Sequence, residues 1–196
     1  MRETSIQRET SETKISLTLN LDGTGEVNVT TGVAFFDHML DAIGRHGQFD
    51  IRLEAVGDLA VDAHHTVEDV GIVLGQAIDE CLGEKAGITR FGDAVVPMDE
   101  ALVLAAVDIS GRGQLHWDVA LPIEFIGTFD TTLFKEFLIA LATNARVTLH
   151  VRSLAGENAH HIIEAAAKAV ARALRVAVAL DERAVGRVPS TKGTLS

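Results

Sequence analysis

The chain contains two similar halves, and this internal duplication constrains its fold more than any other feature. Residues 38–53, HMLDAIGRHGQFDIRL, align with residues 136–151, EFLIALATNARVTLHV. Residues 63–78, AHHTVEDVGIVLGQAI, align in the same order with residues 159–174, AHHIIEAAAKAVARAL, after a deletion of two residues. Because there are only two copies, the pattern predicts one fold made of two related units rather than a solenoid.

Hydrophobic periodicity predicts the same kinds of element in both halves. Alternation of apolar and polar residues predicts strands at 13–20, 25–31, 49–55, 101–110, 114–120 and 146–152. Apolar residues at helical spacing predict helices at 35–47, 64–83, 131–144 and 160–180. The two longer helices are apolar over most of their circumference, which is typical of helices packed in a protein interior. We therefore expect an α/β fold in which two pseudo-symmetric β/α halves contribute two sheets, with the long helices between them.

Neither a linker nor a low-complexity tract separates the halves, so we expect residues 1–196 to form a single compact unit. Within it, the two repeats extend over approximately 1–92 and 93–187, and a polar tail covers 188–196.

Composition excludes several classes of protein. The chain has 28 acidic and 17 basic residues and no run of Lys or Arg, so nucleic acid is not an expected partner. The longest uninterrupted apolar stretch, Ala101 to Val107, is too short to span a bilayer, and the charged N-terminus lacks a secretory signal. A single cysteine, Cys81, excludes an internal disulfide. We expect a cytoplasmic globular protein with no membrane partner.

The segment AHHTVEDVG at 63–71 fits a metal site, a proton-transfer pair or the polar edge of a helix. On a helix, residues four apart share a face, so His64 and Glu68 project together while His65 points elsewhere. The second copy repeats this arrangement with His160, Glu164 and His161. A His/Glu pair at this spacing can chelate one cation, and its occurrence in both halves favours the metal interpretation.

The duplication also predicts how two metal sites are assembled. We expect the His/Glu pair of one half to be joined by the odd histidine of the other half, giving two sites of one Glu and two His. His38, upstream of the first motif, and Glu136, at the equivalent position of the second half, are candidate fourth ligands. Imidazole with carboxylate suits Mn²⁺, Fe²⁺ or Zn²⁺, and the lack of thiolate argues against a structural zinc site.

The motifs FFDHML, AHHTVEDVG, ISGR, NAHHIIEAAAKA and VPSTKG occur together and in order, and with them the chain resembles the imidazoleglycerol-phosphate dehydratase family over essentially its full length. The resemblance implies a lyase of histidine biosynthesis that converts D-erythro-imidazole-glycerol phosphate to imidazole-acetol phosphate and water. It also implies two Mn²⁺ ions per active site, which coordinate the substrate imidazole or imidazolate, and a homo-oligomer of 24 subunits with active sites between subunits.

Site residues follow from the same resemblance. It implies one metal-ligand set of His38, His65, His160 and Glu164, and another of His64, Glu68, Glu136 and His161. It makes Glu12 the candidate acid/base. It implies that Glu12 and the residues of the two metal-ligand sets, except Glu136, also contact the substrate. It further implies that the phosphate and adjacent atoms are bound by Arg90, Arg112, Ser190, Thr191 and Lys192. His46, two helical turns after His38, is a further candidate for substrate contact.

One departure from the family pattern bears on the metal. The family usually has histidine at position 136, within EHFF, where this chain has KEFL and therefore Glu136. Two alternative functions are also compatible with the histidine motifs. A di-metal hydrolase would require metals about 3.5–4 Å apart, and a catalytically weakened paralogue would be a metal-stapled structural assembly.

Overall fold

A computed structural model describes residues 2–195. The first half contains four strands and two helices. In chain order they are β1 (Glu3–Glu9), β2 (Thr13–Asn20), β3 (Val27–Thr30), α1 (Ala34–Gly47), β4 (Asp50–Gly57) and α2 (His64–Leu82). The helix α2 ends at Gly83, whose positive φ of 51° is easily adopted by glycine, as the sequence predicted.

The second half repeats this order and adds one short hairpin. Its elements are β5 (Phe91–Met98), β6 (Ala101–Asp108), β7 (Gln114–Asp118), β8 (Phe125–Ile126), β9 (Phe129–Asp130), α3 (Thr132–Asn144), β10 (Thr148–Ala155) and α4 (Ala159–Val178). The hairpin β8–β9 lies between β7 and α3, where the first half has only a short turn between β3 and α1.

The two four-stranded sheets have the same topology. The first sheet has the order β1-β2-β4-β3 and the second has the order β5-β6-β10-β7. In each sheet the last strand of the order runs parallel to its neighbour, and the other neighbours are antiparallel. A parallel pair needs a crossover connection, and α1 and α3 supply it in the two halves. The duplication in the sequence therefore corresponds to a duplication of topology.

The helices lie between the two sheets and pair across the halves. Helix α2 contacts β1 and β2 on one side and α3 on the other, while α4 contacts β5 and β6 as well as α1. A Cβ added at Gly71 or Gly75 of α2 would come within 2.6 Å of a backbone carbonyl oxygen of α3, so only glycine permits this close approach. The predicted α/β fold with helices between two sheets is confirmed.

The sequence interpretation missed the edge strands β1 and β5. In β1, alternate residues are exposed and Ile6 is the only large apolar side chain, while β5 contains Asp93 and Pro97. Both strands lie at a sheet edge, where polar residues and proline are tolerated, so their apolar alternation is weak. Within residues 2–195, no helix combines the length and apolar character needed to cross a membrane.

Candidate metal and catalytic site

Three of the predicted ligands meet where α1 packs against α4. His38 projects from α1, and His160 and Glu164 lie one turn apart at the start of α4. The Nε2 atoms of His38 and His160 lie 3.4 Å and 3.2 Å from Oε2 of Glu164. One ligand atom from each residue lies within 4.8 Å of the other two, so this triad can hold a metal ion. Two imidazole nitrogens and a carboxylate oxygen suit a divalent transition metal.

The carboxylate of the triad is buried and neutralised by a lysine. Only 9% of the Glu164 side chain is exposed, and Nζ of Lys168 donates a hydrogen bond to its Oε1 at 2.7 Å. Burial acts to raise the pKa of Glu164, but the hydrogen bond and charge of Lys168 outweigh it and lower that pKa. The second oxygen, Oε2, therefore faces the histidines in its ionised form. Sequence reasoning missed Lys168, although it follows Glu164 by four residues and shares its helix face.

The equivalent pair of the first half is more open. Nε2 of His64 lies 3.8 Å from Oε2 of Glu68, and 47% of the Glu68 side chain is exposed. Ile72 stands at the position of α2 that Lys168 has in α4, so Glu68 has no lysine one turn along the helix. Glu136, which we predicted as a ligand of this site, is half-buried on α3, and within residues 2–195 it joins no three-residue metal cluster.

The second histidine of each motif binds a carboxylate through Nδ1. Nδ1 of His65 lies 3.0 Å from Oδ2 of Asp58, and Nδ1 of His161 lies 2.7 Å from Oε2 of Glu100. These hydrogen bonds raise the pKa of both histidines. The pKa of Glu100 falls to about 2 because it accepts hydrogen bonds from His161 and from the backbone N–H groups of the two residues that precede α4.

A carboxylate on Nδ1 fixes the tautomer and orientation of an imidazole and makes Nε2 the nitrogen that can ligate a metal, as is usual for metal-ligating histidines. Within the chain, neither His65 nor His161 is brought to the triad, so their role as ligands stays a prediction. Sequence reasoning missed Asp58 and Glu100 because both lie in connections between elements, where no periodicity reveals which side chain they face.

Glu12, the predicted acid/base, lies in the turn between β1 and β2. Its Oε2 atom is 3.9 Å from Nδ1 of His65, and half of the side chain is exposed. The equivalent turn of the second half, between β5 and β6, contains Glu100, which faces His161. The duplication therefore places a carboxylate from an edge hairpin beside the second histidine of each motif.

The predicted phosphate-binding residues lie together at one end of the second sheet. Arg90 precedes β5 and its guanidinium contacts Asp108 at 2.8 Å and the carbonyl oxygen of Pro189 at 2.7 Å. Arg112 follows β6, and its exposed side chain donates a hydrogen bond to the carbonyl oxygen of Ser110. Arg90 thus anchors the start of the tail that contains the remaining predicted residues, Ser190, Thr191 and Lys192.

The predicted phosphate-binding residues lie at one end of the folded chain, and the histidine motifs lie at the other end. The backbone N–H of Arg90 donates to the carbonyl of Ala177, near the end of α4, whereas Glu164 lies in its second turn. The intervening helix is about 20 Å long at 1.5 Å per residue. The tail also lies beside Gly83, at the end of α2, whereas His64 begins that helix. One small molecule therefore cannot touch both groups of one chain.

His46, the remaining candidate for substrate contact, lies in the last turn of α1. Partial burial and the nearby charges of Lys168 and Arg172 lower the pKa of its imidazole. It therefore faces the middle of α4 rather than the triad at the start of that helix, and its role stays a prediction.

Comparison with known proteins identifies the class of enzyme and then the family. Residues 31–174 match the family model for imidazoleglycerol-phosphate dehydratase. The imidazoleglycerol-phosphate dehydratase of Acidiphilium cryptum is 60% identical over 194 residues and 99% of both chains. That of Dinoroseobacter shibae is 58% identical over 195 residues and 100% of both chains.

Two crystal structures of imidazoleglycerol-phosphate dehydratase are similar to the whole fold. The Staphylococcus aureus enzyme is 38% identical, with a TM-score of 0.84 over 91% of this chain and 99% of that chain. The Pyrococcus furiosus enzyme, in complex with (S)-C348, is 42% identical, with a TM-score of 0.82 over 97% of this chain and 100% of that chain. The chain is therefore a carbon–oxygen lyase. It belongs to the imidazoleglycerol-phosphate dehydratase family.

Proposed function

We propose that the enzyme converts D-erythro-imidazole-glycerol phosphate to imidazole-acetol phosphate and water, with two Mn²⁺ ions in each active site. Full-length relationship to dehydratases of histidine biosynthesis supports the reaction. The observation that carries the metal dependence is the triad of His38, His160 and Glu164. Membership of a lyase family supports the dehydratase over the hydrolase and over the non-catalytic assembly.

The residues present fit the proposed metal. The triad supplies two imidazole nitrogens and a carboxylate oxygen, and the hydrogen bonds from Nδ1 to Asp58 and Glu100 leave Nε2 as the nitrogen with which His65 and His161 can ligate. We assign His38, His160 and Glu164 to one ion, completed by His65. We assign His64, Glu68 and Glu136 to the other ion, completed by His161. When bound, a divalent metal supplies Lewis acidity at the imidazole ring of the substrate.

Proton movement falls to Glu12. It is exposed, it ligates no metal in the proposed sets, and it lies beside His65, so its carboxylate can reach a substrate held at that histidine. Overall, the substrate loses one carbon-bound proton and one neighbouring hydroxyl as water, and the resulting enol takes up a proton at carbon and releases its hydroxyl proton to give the ketone. Asp58 holds the His65 ring in place while Glu12 exchanges the proton.

The phosphate is assigned to Arg90, Arg112, Ser190, Thr191 and Lys192. Guanidinium and ammonium groups, with hydroxyls, are the donors that phosphate recognition needs. Since this group lies about 20 Å from the triad of its own chain along α4, we propose that each active site combines the histidine end of one chain with the arginine and tail end of a neighbour. A closed homo-oligomer of 24 subunits, built from chains that each form a single two-repeat unit, provides such neighbours.

The activity is tested with the full-length protein loaded with Mn²⁺. We expect formation of imidazole-acetol phosphate, followed by the ultraviolet absorbance of its enol, and loss of turnover in Glu12→Gln with metal content unchanged. Turnover by the metal-free protein would overturn the metal requirement, and no product from the loaded protein would overturn the reaction.

The assembly is tested by measuring particle size before and after chelation. If metals are held by ligands from two chains, removing them loosens the oligomer, because binding energy at the site is also assembly energy. A particle of unchanged size after complete removal of metal would contradict ligands supplied in trans.

A further inference from the structure

Two histidines on the outer face of the second sheet take no part in the site described above. His116 lies on β7 and His150 on β10, and the two residues are direct partners in the parallel pairing of these strands. Both are exposed, whereas their neighbours Leu115 and Leu149 face the helices. The pair is therefore separated from the triad by the sheet itself.

The two rings are stacked on each other, and a rotation of their side chains would point one nitrogen of each ring at a common ion. Their centroids are 4.2 Å apart and their planes are inclined by 16°, so the rings stack and do not hydrogen-bond to each other. Within residues 2–195 neither ring has a hydrogen bond or an ion pair. By contrast, His38 and the four histidines of the two HH motifs each lie beside a carboxylate. The ring nitrogens of the pair are thus available to a ligand.

The surroundings favour a cation bound by nitrogen alone. Asp118, two residues along β7 on the same face, is engaged by Nε of Arg152 at 2.9 Å. Ala106 of β6 pairs with His150 and its small side chain leaves room for the ring to rotate. Partial burial and the proximity of His116 lower the pKa of His150, which favours the neutral, ligating form at neutral pH.

We propose that His116 and His150 form a surface site that binds one divalent transition-metal ion per chain, Cu²⁺ most tightly, through two imidazole nitrogens. Nitrogen-only ligation selects Cu²⁺, Ni²⁺ and Zn²⁺ over Mn²⁺, and the general order of affinities places Cu²⁺ first. The chain therefore has two metal-binding chemistries: nitrogen and carboxylate between the sheets, and nitrogen alone on the outer face.

The test uses equilibrium dialysis of the full-length, Mn²⁺-loaded protein against Cu²⁺, with bound copper counted by elemental analysis. We expect the wild-type protein to bind one more copper per chain than His116→Asn or His150→Asn. Asp118→Asn, on the same face, is the matched control and should retain that copper. Because the pair is exposed, all three variants should unfold at the wild-type denaturant midpoint.

Electron paramagnetic resonance provides a second readout. In the wild-type protein, the spectrum of the additional copper should show hyperfine splitting from two nitrogens. This signal should be missing from the two histidine variants. Equal copper binding in the wild-type protein and both histidine variants would overturn the proposal, as would loss of the same copper in Asp118→Asn. Dehydratase activity is independent of the result, since none of these residues belongs to the proposed active site.

Discussion

The helices α2 and α4 begin with the same HHxxxE motif and lie in halves of the same topology. Their metal-binding groups differ in burial, in charge and in how many ligands are already assembled. In α4, Glu164 is buried, paired with Lys168 and already surrounded by His38 and His160. In α2, Glu68 is half exposed and Ile72 replaces the lysine. The residue of α3 that is equivalent to His38 of α1 is Glu136. Duplication has conserved the fold, therefore, while the electrostatics of the two ligand groups have diverged.

The difference indicates that the triad is preorganised and the His64/Glu68 pair is not. A preformed set of ligands binds metal without the cost of ordering side chains, whereas an open pair must be ordered by the ion or by a neighbouring chain. Metal affinity should therefore be unequal at the two sites, and the following variants test that comparison.

The largest effect is expected from Glu164→Gln. It removes the only carboxylate of the triad, so Mn²⁺ affinity should fall by at least about 100-fold, more than the loss of an outer-shell partner usually costs. Glu68→Gln should lower affinity less, by about tenfold. Titration with Mn²⁺ monitored by electron paramagnetic resonance measures both, with exposed Glu182→Gln as the control. A larger loss in Glu68→Gln would reverse the proposed order of the sites.

Lys168→Met should destabilise the metal-free protein. Without the lysine, Glu164 is left as a buried carboxylate lacking its strongest hydrogen bond, at a cost of about 1–3 kcal/mol in the free energy of unfolding. Metal should offset much of this loss because it replaces the missing positive charge. Urea unfolding with and without Mn²⁺ measures the difference, and Arg172→Met, on the exposed face of α4, should change stability by less than about 0.5 kcal/mol.

Asp50→Ala should destabilise the first half more than the equivalent Thr148→Ala destabilises the second. Asp50 accepts hydrogen bonds from the backbone N–H groups of residues 24–26, whereas Thr148 pairs with the hydroxyl of Ser110. In urea unfolding at pH 7, we expect the free energy of unfolding to fall by about 1–3 kcal/mol in Asp50→Ala and by about 0.5–1.5 kcal/mol in Thr148→Ala. Equal losses would show that the β3 loop does not depend on this carboxylate.

The effect of Asp50 should also depend on pH. Burial opposes ionisation, but the backbone hydrogen bonds outweigh it and hold the pKa of Asp50 below its usual 3.8. Since the folded-state pKa is depressed, the stabilisation is present above pH 3.8 and is lost as the pH falls through the folded-state value. The difference between the wild-type protein and Asp50→Ala should therefore shrink in unfolding measurements at acid pH.

The smallest effect is expected from Glu136→His, which gives the site of His64 and Glu68 the residue type that His38 supplies to the triad. We expect a several-fold shift in metal preference from Mn²⁺ toward Zn²⁺, since imidazole replaces carboxylate. Stability should change by less than about 0.5 kcal/mol because Glu136 is only half-buried. Competition between the two ions measures the preference. Lys135→His, which places the imidazole one residue away, should leave the preference unchanged.

The sequence was informative wherever a pattern is local. The spacing of His160 and Glu164 on one helix predicts that they meet, because residues four apart share a face. The approach of His38 to Glu164 depends on α1 packing against α4, and the chain separates these residues by 126 positions. No periodicity specifies that contact, although the repeat and the family pattern made His38 a candidate.

Edges and connections were the least predictable parts of the molecule. The strand β1 exposes alternate side chains at a sheet edge, so its sequence lacks the apolar pattern of an inner strand such as β6. Asp58 and Glu100 orient histidines from connections whose conformation depends on the completed fold. The roles of Arg90, Arg112 and the tail stay predictions, because a single chain shows their location and not what binds there.

The distance between the histidine end and the tail end of each chain has a consequence for inheritance. Under the proposed inter-chain site, a defect at Glu164 leaves the tail end of that chain intact, and a defect at Lys192 leaves the triad intact. Mixed particles of the two defective chains would then contain some complete sites. Two inactive alleles expressed in one cell would therefore complement each other.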